Sequence, residues 1–166
     1  AELSAADNFN GATLSLARSG GASSEDVFAA SGNLAALTEG QSLVLGGVTV
    51  GSVVGNSNGT LSLSFNASAT QARLDEVLRL IAYSNISDTP PASVQIGWAF
   101  NDGNTGGQGT GSALTAVGTT TVNITTTGGG CGCIGRARWL RPWRLGVDLH
   151  HGAVHVTGQQ QRQGGQ

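Results

Sequence analysis

The chain contains no lysine and no methionine, and its first 127 residues hold no cysteine and no histidine. Each absence removes a class of chemistry. A serine hydroxyl in that stretch has neither His nor Lys as a base, which argues against acyl-transfer catalysis; an enzyme is not expected. Without cysteine the body has no disulfide framework, so packing or bound ions must hold it. Charged residues make up only 11% of the 166, against about a quarter in ordinary globular domains. Solubility must come instead from Ser, Thr, Asn and Gly. No apolar run is long enough to cross a bilayer, and no basic segment followed by an apolar one marks a signal peptide, so membrane insertion is not expected. The opening "AELSAADNF" leads us to expect a piece of a longer chain.

What is present falls into two unlike parts. Residues 1–127 carry Arg18, Arg73 and Arg79 against nine acids, a net charge of −6; residues 128–166 carry five Arg against Asp148, a net charge of +4. An acidic body without lysine is a poor phosphate binder, which excludes nucleic acid as an expected partner.

Apolar and polar residues alternate through most of the body, the pattern of half-buried strands. "ATLSLAR" sets Leu14 and Leu16 on one face. "SLVLGGVTV" reads as a hairpin, in which Gly46 and Gly47 supply the positive φ angles of a two-residue turn. "GTLSLSFN" presents Leu61, Leu63 and Phe65 after a turn built from "GNSNG". "SVQIGWAFND" aligns Val94, Ile96, Trp98 and Phe100, and "TTTVNITT" ends the pattern with Val122 and Ile124. One segment switches to the helical period: Leu74, Val77, Leu78 and Ile81 form a single stripe, preceded by a Ser68-x-x-Gln71 capping box. "SDTPPAS" then imposes an irregular stretch, since proline cannot join a central ladder. We expect a core built on Leu14, Leu16, Leu63, Phe65, Leu78, Ile81, Ile96, Trp98 and Val122.

The candidate chemistry is sparse. Glu25–Asp26 and Asp75–Glu76 are adjacent carboxylates, but strand neighbours point to opposite faces and the helical pair faces solvent. With few aromatics to line a sugar cleft, a glycosidase is disfavoured. The loop Asn101–Gly111, "NDGNTGGQGTG", sets Asp102 and Asn104 on alternate positions among glycines. Such a loop offers the carboxylate, amide and carbonyl oxygens that Ca²⁺ takes in sets of six to eight; it is equally an ordinary glycine-rich hairpin loop. Glu2 and Asp7 are further oxygen donors that could meet Asp102 and Asn104 at one end of a sandwich. In the tail, Cys131, Cys133, His151 and His155 superficially match a Cys₂His₂ zinc pattern, but one residue between the cysteines is below the usual spacing. "RARWLRPWRLG" has the composition of a membrane-surface segment, yet Pro142 interrupts any helix. Four N-x-S/T matches start at Asn58, Asn66, Asn85 and Asn123 and follow from the Ser/Thr/Asn-rich composition rather than marking glycans.

In order and spacing, "ADNFNGATLSLARSGGASSEDVF", "LTEGQSLVLGGVTVGSV", "GTLSLSFNASATQARLDEVLRLIAYSNISDTPP" and "WAFNDGNTGG" resemble a cadherin-like, immunoglobulin-like repeat of giant bacterial surface and RTX-type secreted proteins. The resemblance implies an all-β, Greek-key β-sandwich of about seven strands with one short amphipathic helix, spanning residues 1–127. It further implies an extracellular structural or adhesion module, partnered by neighbouring repeats and by a cell-surface or glycan ligand, and stiffened by weakly bound Ca²⁺ at Glu2, Asp7, Asp102 and Asn104. The family's acidic opening motif and its linker into the next repeat are both incomplete here, so half of an inter-module site is expected. A carbohydrate-binding module using the Gly-rich loop end is the alternative. Residues 128–166 are expected to form a low-complexity tail outside the domain, disordered and either a frameshifted reading of a GC-rich gene or an appended segment. Within it, "LGVDLHHGAVHV" could form a transient strand.

Overall fold

A computed structural model describes residues 8–104, 113–125, 147–148 and 155–156. The body is all-β with one helix. In chain order it runs β1 (Thr13–Arg18), β2 (Asp26–Ala30), β3 (Ser42–Leu45), β4 (Val48–Ser57), β5 (Thr60–Phe65), α1 (Gln71–Leu80), β6 (Ile81–Asn85), β7 (Ser93–Asn101) and β8 (Thr115–Asn123). These are eight strands rather than about seven, divided unevenly between the layers. Six form an antiparallel sheet in the order β3-β4-β5-β1-β7-β8, and β2 with β6 forms a two-stranded sheet. The β3-β4-β5 meander returns to lie beside β1, which is a Greek-key connection.

Turn chemistry sets the register of the large sheet. Gly46 and Gly47 have φ of 54° and 84°, so the β3–β4 hairpin uses the expected two-residue turn. The β4–β5 turn is shorter than the five residues "GNSNG": β4 continues through Ser57, and only Asn58 (φ 51°) and Gly59 (φ 73°) turn the chain. An Asn-Gly pair tolerates both positive φ angles, which lets the flanking strands pair to the very end. A Cβ at Gly59 would overlap the Ser23 carbonyl, so this turn also packs tightly on the β1–β2 connection.

The helix departs from expectation at both ends. Its N-cap is Thr70, whose Oγ1 accepts from the Arg73 N–H at 3.5 Å; Ser68 instead has its own N–H bound to Asn66 Oδ1 at 2.8 Å. Ile81 is buried as its stripe requires, but its backbone is extended (φ −72°, ψ 124°) and it opens β6. Leu74, Val77 and Leu78 are the residues α1 buries.

One core joins the two sheets and the helix. Leu14, Leu16, Leu63, Phe65, Leu78, Ile81, Ile96 and Trp98 are all buried, as expected; Val122 is only partly buried because β8 is the edge of its sheet. Phe9 stacks edge-to-face on Phe100 at 5.8 Å, and Phe28 on Tyr83 at 5.7 Å, closing opposite parts of the core. In the tail, β9 (Val147–Asp148) pairs antiparallel with β10 (His155–Val156), so two chain segments meet where a single transient strand was expected. Among the described residues, no helix is long and apolar enough to cross a membrane.

Candidate functional site

Two polar constellations stand out. The first sits where β1 leaves the large sheet. Period two carries the inward row Leu14, Leu16 on to Arg18, and the chain then crosses through Ser19–Glu25 to β2. There Asp26 points inward, only 3% exposed, while its neighbour Glu25 faces solvent. Arg18 donates from Nε to Asp26 Oδ2 at 2.8 Å and from Nη2 to Oδ1 at 2.5 Å, a bidentate pairing of guanidinium and carboxylate. The same Oδ1 accepts from the Tyr83 hydroxyl at 2.6 Å and from Asn85 Nδ2 at 2.9 Å, both on β6. One carboxylate thus ties β1 of the large sheet to both strands of the small one.

The electrostatics follow from this geometry. Burial pushes the Asp26 carboxyl up, but hydrogen bonds from Arg18, Tyr83 and Asn85 together outweigh it and hold the group below the ordinary carboxylate value of 3.8. Burial, reinforced by the adjacent Asp26 carboxylate, pushes the Tyr83 hydroxyl up to about 12. The hydrogen bond to Asp26 raises Arg18 against the opposing effect of burial. At neutral pH the cluster is therefore a fixed pair of opposite charges with a protonated phenol. Each Asp26 oxygen is occupied, so the carboxylate is poorly placed to move protons or attack a substrate.

The second constellation is the sequence-predicted loop. Asp102 and Asn104 follow β7 directly, and the structure brings them together, but as an Asx turn: Asp102 Oδ1 accepts from Asn104 N–H at 3.1 Å and from Leu114 N–H at 2.8 Å. The backbone N–H of Asp102 donates to the Leu114 carbonyl at 3.0 Å, so this side chain closes the mouth of the loop. Asn101 adds a parallel turn, its Oδ1 accepting from Gly103 N–H at 2.8 Å. Gly103 (φ 66°) lies so close to the backbone of Gly11 and Ala12 that a Cβ there would overlap them. The loop mouth therefore docks against the turn that precedes β1.

That docking puts Asp102 and Asn104 at the same end of the sandwich as residue 8. Glu2 and Asp7, the other two expected calcium donors, lie outside the described residues, as do 105–112 of the loop. Among the described residues, no three His, Cys, Asp or Glu side chains gather as a metal-holding group. Two donors, one with an oxygen already accepting two N–H bonds, supply a minority of the shell that Ca²⁺ requires. Of the zinc-like tail pattern, Cys131, Cys133 and His151 lie outside the described residues and His155 falls in β10. Asn85 is a donor inside the buried cluster, which leaves its N-x-S/T match no room for a glycan.

The sequence reading missed the Arg18–Asp26–Tyr83–Asn85 cluster, although a signal for it was there: a cation two steps beyond Leu16 on an inward row demands a buried partner. In comparison with known proteins, no family model, no curated protein and no solved structure matches the chain.

Proposed function

We propose that the chain is a non-enzymatic, extracellular structural or adhesion module of a tandem-repeat bacterial surface or secreted protein. The observation that supports this reading most is the fate of the buried Asp26 and Tyr83 and their half-buried partner Arg18. Arg18, Asp26 and Tyr83 are consumed in binding the two sheets to each other, near the place where the chain first crosses between them. Such a clamp resists shear between layers, which suits a stalk, and it occupies the one carboxylate that is buried among the described residues. The resemblance described above points the same way.

The test is the coding sequence that flanks this one in its gene, combined with a ligand screen of the whole chain. Further copies of the "LSLSFNAS…IAYSN…DTPP" pattern on either side support a tandem array; a single copy beside an unrelated catalytic domain overturns it. Saturable binding to one sugar on a glycan array would favour the carbohydrate-binding alternative.

Calcium enters this proposal as a weak stiffening ion held by Asp102 and Asn104, with Glu2 and Asp7. Extracellular modules bind near 10⁻⁴–10⁻³ M, and an incomplete site should be about as weak or weaker. Calorimetry at millimolar Ca²⁺ should show heat that Asp102→Asn removes. A titration with neither heat nor a shift in melting temperature retires the ion and leaves the structural reading standing.

A further inference from the structure

Sheet edges are exposed rows of unpaired backbone N–H and C=O groups, and natural proteins usually shorten, bulge or occupy them. Two of the edges here are managed in that way. β3 is four residues long, and its pairing with β4 shifts register between Leu43 and Val44. On β2, the Phe28 carbonyl accepts from Asn56 Nδ2 at 3.1 Å, and that same amide group holds the Leu37 carbonyl at 2.7 Å. β8 differs. It is nine residues long, it pairs with β7 without a register shift from Asn101↔Thr115 to Ser93↔Asn123, and among the described residues it has no neighbour on its other side.

The side chains of β8 do nothing to protect it. "TAVGTTTVN" contains no charge and no proline, and its solvent row Thr115, Val117, Thr119, Thr121, Asn123 is exposed, Val117 at 72%. β-Branched residues in that row have the highest preference for a paired strand. The strand is also complementary to itself. Antiparallel pairing about a two-fold axis through Thr119 sets Val117 against Thr121, Ala116 against Val122, and Gly118 against Thr120. No pair opposes like charges or leaves a charge beside an apolar group.

We propose that β8 is an interaction edge for a second copy of this chain, joining two six-stranded sheets into one continuous sheet across an antiparallel β8–β8 pair. A single strand pair buries far less than the roughly 1,600 Å² of a standard interface, so the isolated complex is weak. It becomes effective where several copies lie side by side and each pairing raises the local concentration for the next. The inference rests on the edge strand and is independent of the adhesive reading.

The experiment uses the full chain in sedimentation equilibrium from about 10 μM to about 1 mM, a span chosen for weak contacts. The expected result is a mass rising toward twice the monomer, with β8 amides exchanging more slowly as dimer accumulates. Thr119→Lys and Thr119→Glu, at an exposed position, each place like charges opposite one another and should weaken the dimer about tenfold or more. Mixed one to one, the two variants should associate again. A chain that stays monomeric at the highest concentration overturns the proposal, and so does a dimer indifferent to both substitutions. Slow exchange, in the monomer, of those β8 amides that face away from β7 would show that the chain covers this edge itself, and would also overturn it.

Discussion

Removing the Asp26 carboxylate should be among the most damaging single changes available to this protein. Asp26→Ala strips the acceptor from three side chains, and from four donor groups, at once. Tyr83 Oη and Asn85 Nδ2 are buried, and each buried donor left without an acceptor costs about 1–3 kcal/mol. Arg18 contributes less, because 23% of its side chain is exposed and water can rehydrate the guanidinium. The expected loss is about 3–5 kcal/mol, the range for breaking a buried ion pair from one side. Asp26→Asn should cost less. Its carbonyl can still accept from Tyr83 and Asn85, although its NH₂ would then face the Arg18 Nε–H, donor against donor.

Equilibrium urea unfolding, followed by far-UV circular dichroism, measures these losses without screening the charges. The sharpest test is the cycle with Tyr83→Phe. In the wild-type background, deleting that hydroxyl removes a hydrogen bond to a charged group and should cost about 1.5–3 kcal/mol. Beside Asp26→Ala, the same deletion removes an orphaned donor and should be neutral or stabilising. A cost of Asp26→Ala below about 1 kcal/mol, or equal Tyr83→Phe effects in both backgrounds, would refute the clamp.

Other consequences can be measured on the same protein. The Asp26 carboxyl lies below its ordinary 3.8, so its stabilisation is present above that pH and should drain as acid carries the pH down through the lower folded value; Asp26→Ala should flatten this limb of the stability curve. Tyr83, raised from 10.0 to about 12, keeps its proton longer folded than unfolded, so stability should fall between those values by roughly 3 kcal/mol, and Tyr83→Phe should abolish the fall. Trp98, 4% exposed, should fluoresce to the blue once Trp139 and Trp143 are replaced, and Trp98→Ala should cost about 3–5 kcal/mol in urea unfolding. Because its indole lies over Gly118, where a Cβ would overlap the ring, Gly118→Ala should cost about 1–3 kcal/mol. Truncation after Thr127 should leave the melting temperature unchanged, since two-residue strands such as β9 and β10 are too short to be stable alone; a drop of several degrees, or zinc-dependent amide protection in the tail, would place it in the domain.

How far these features could be read from the sequence depends on whether local pattern or distant partner decides them. The inward rows of β1, β5 and β7 were legible, because alternation over five or more residues has one solution when one face is buried. β2 and β6 were not. "DVFAA" is short and polar at its start, and Ile81 satisfies the helical stripe and the first inward position of β6 equally well. Only backbone geometry separates those two readings. The cap failed for a related reason: Ser68 matches the capping-box spacing, yet Asn66 Oδ1 binds its N–H in a turn, and the helix begins one residue past Thr70. The same ambiguity surrounds Asp102. A carboxylate two residues before an amide, among glycines, is the pattern of a cation loop and also of an Asx turn, because both need short oxygen-bearing side chains beside a flexible backbone. The Asp102 Oδ1 bonds to Asn104 and Leu114 decide what one of its oxygens does. By contrast, Arg18 could have announced the clamp, since a cation at the end of an inward row cannot stay unpaired. Which of nine acids answered it depended on the crossing from β1 to β2, and no periodicity encodes that.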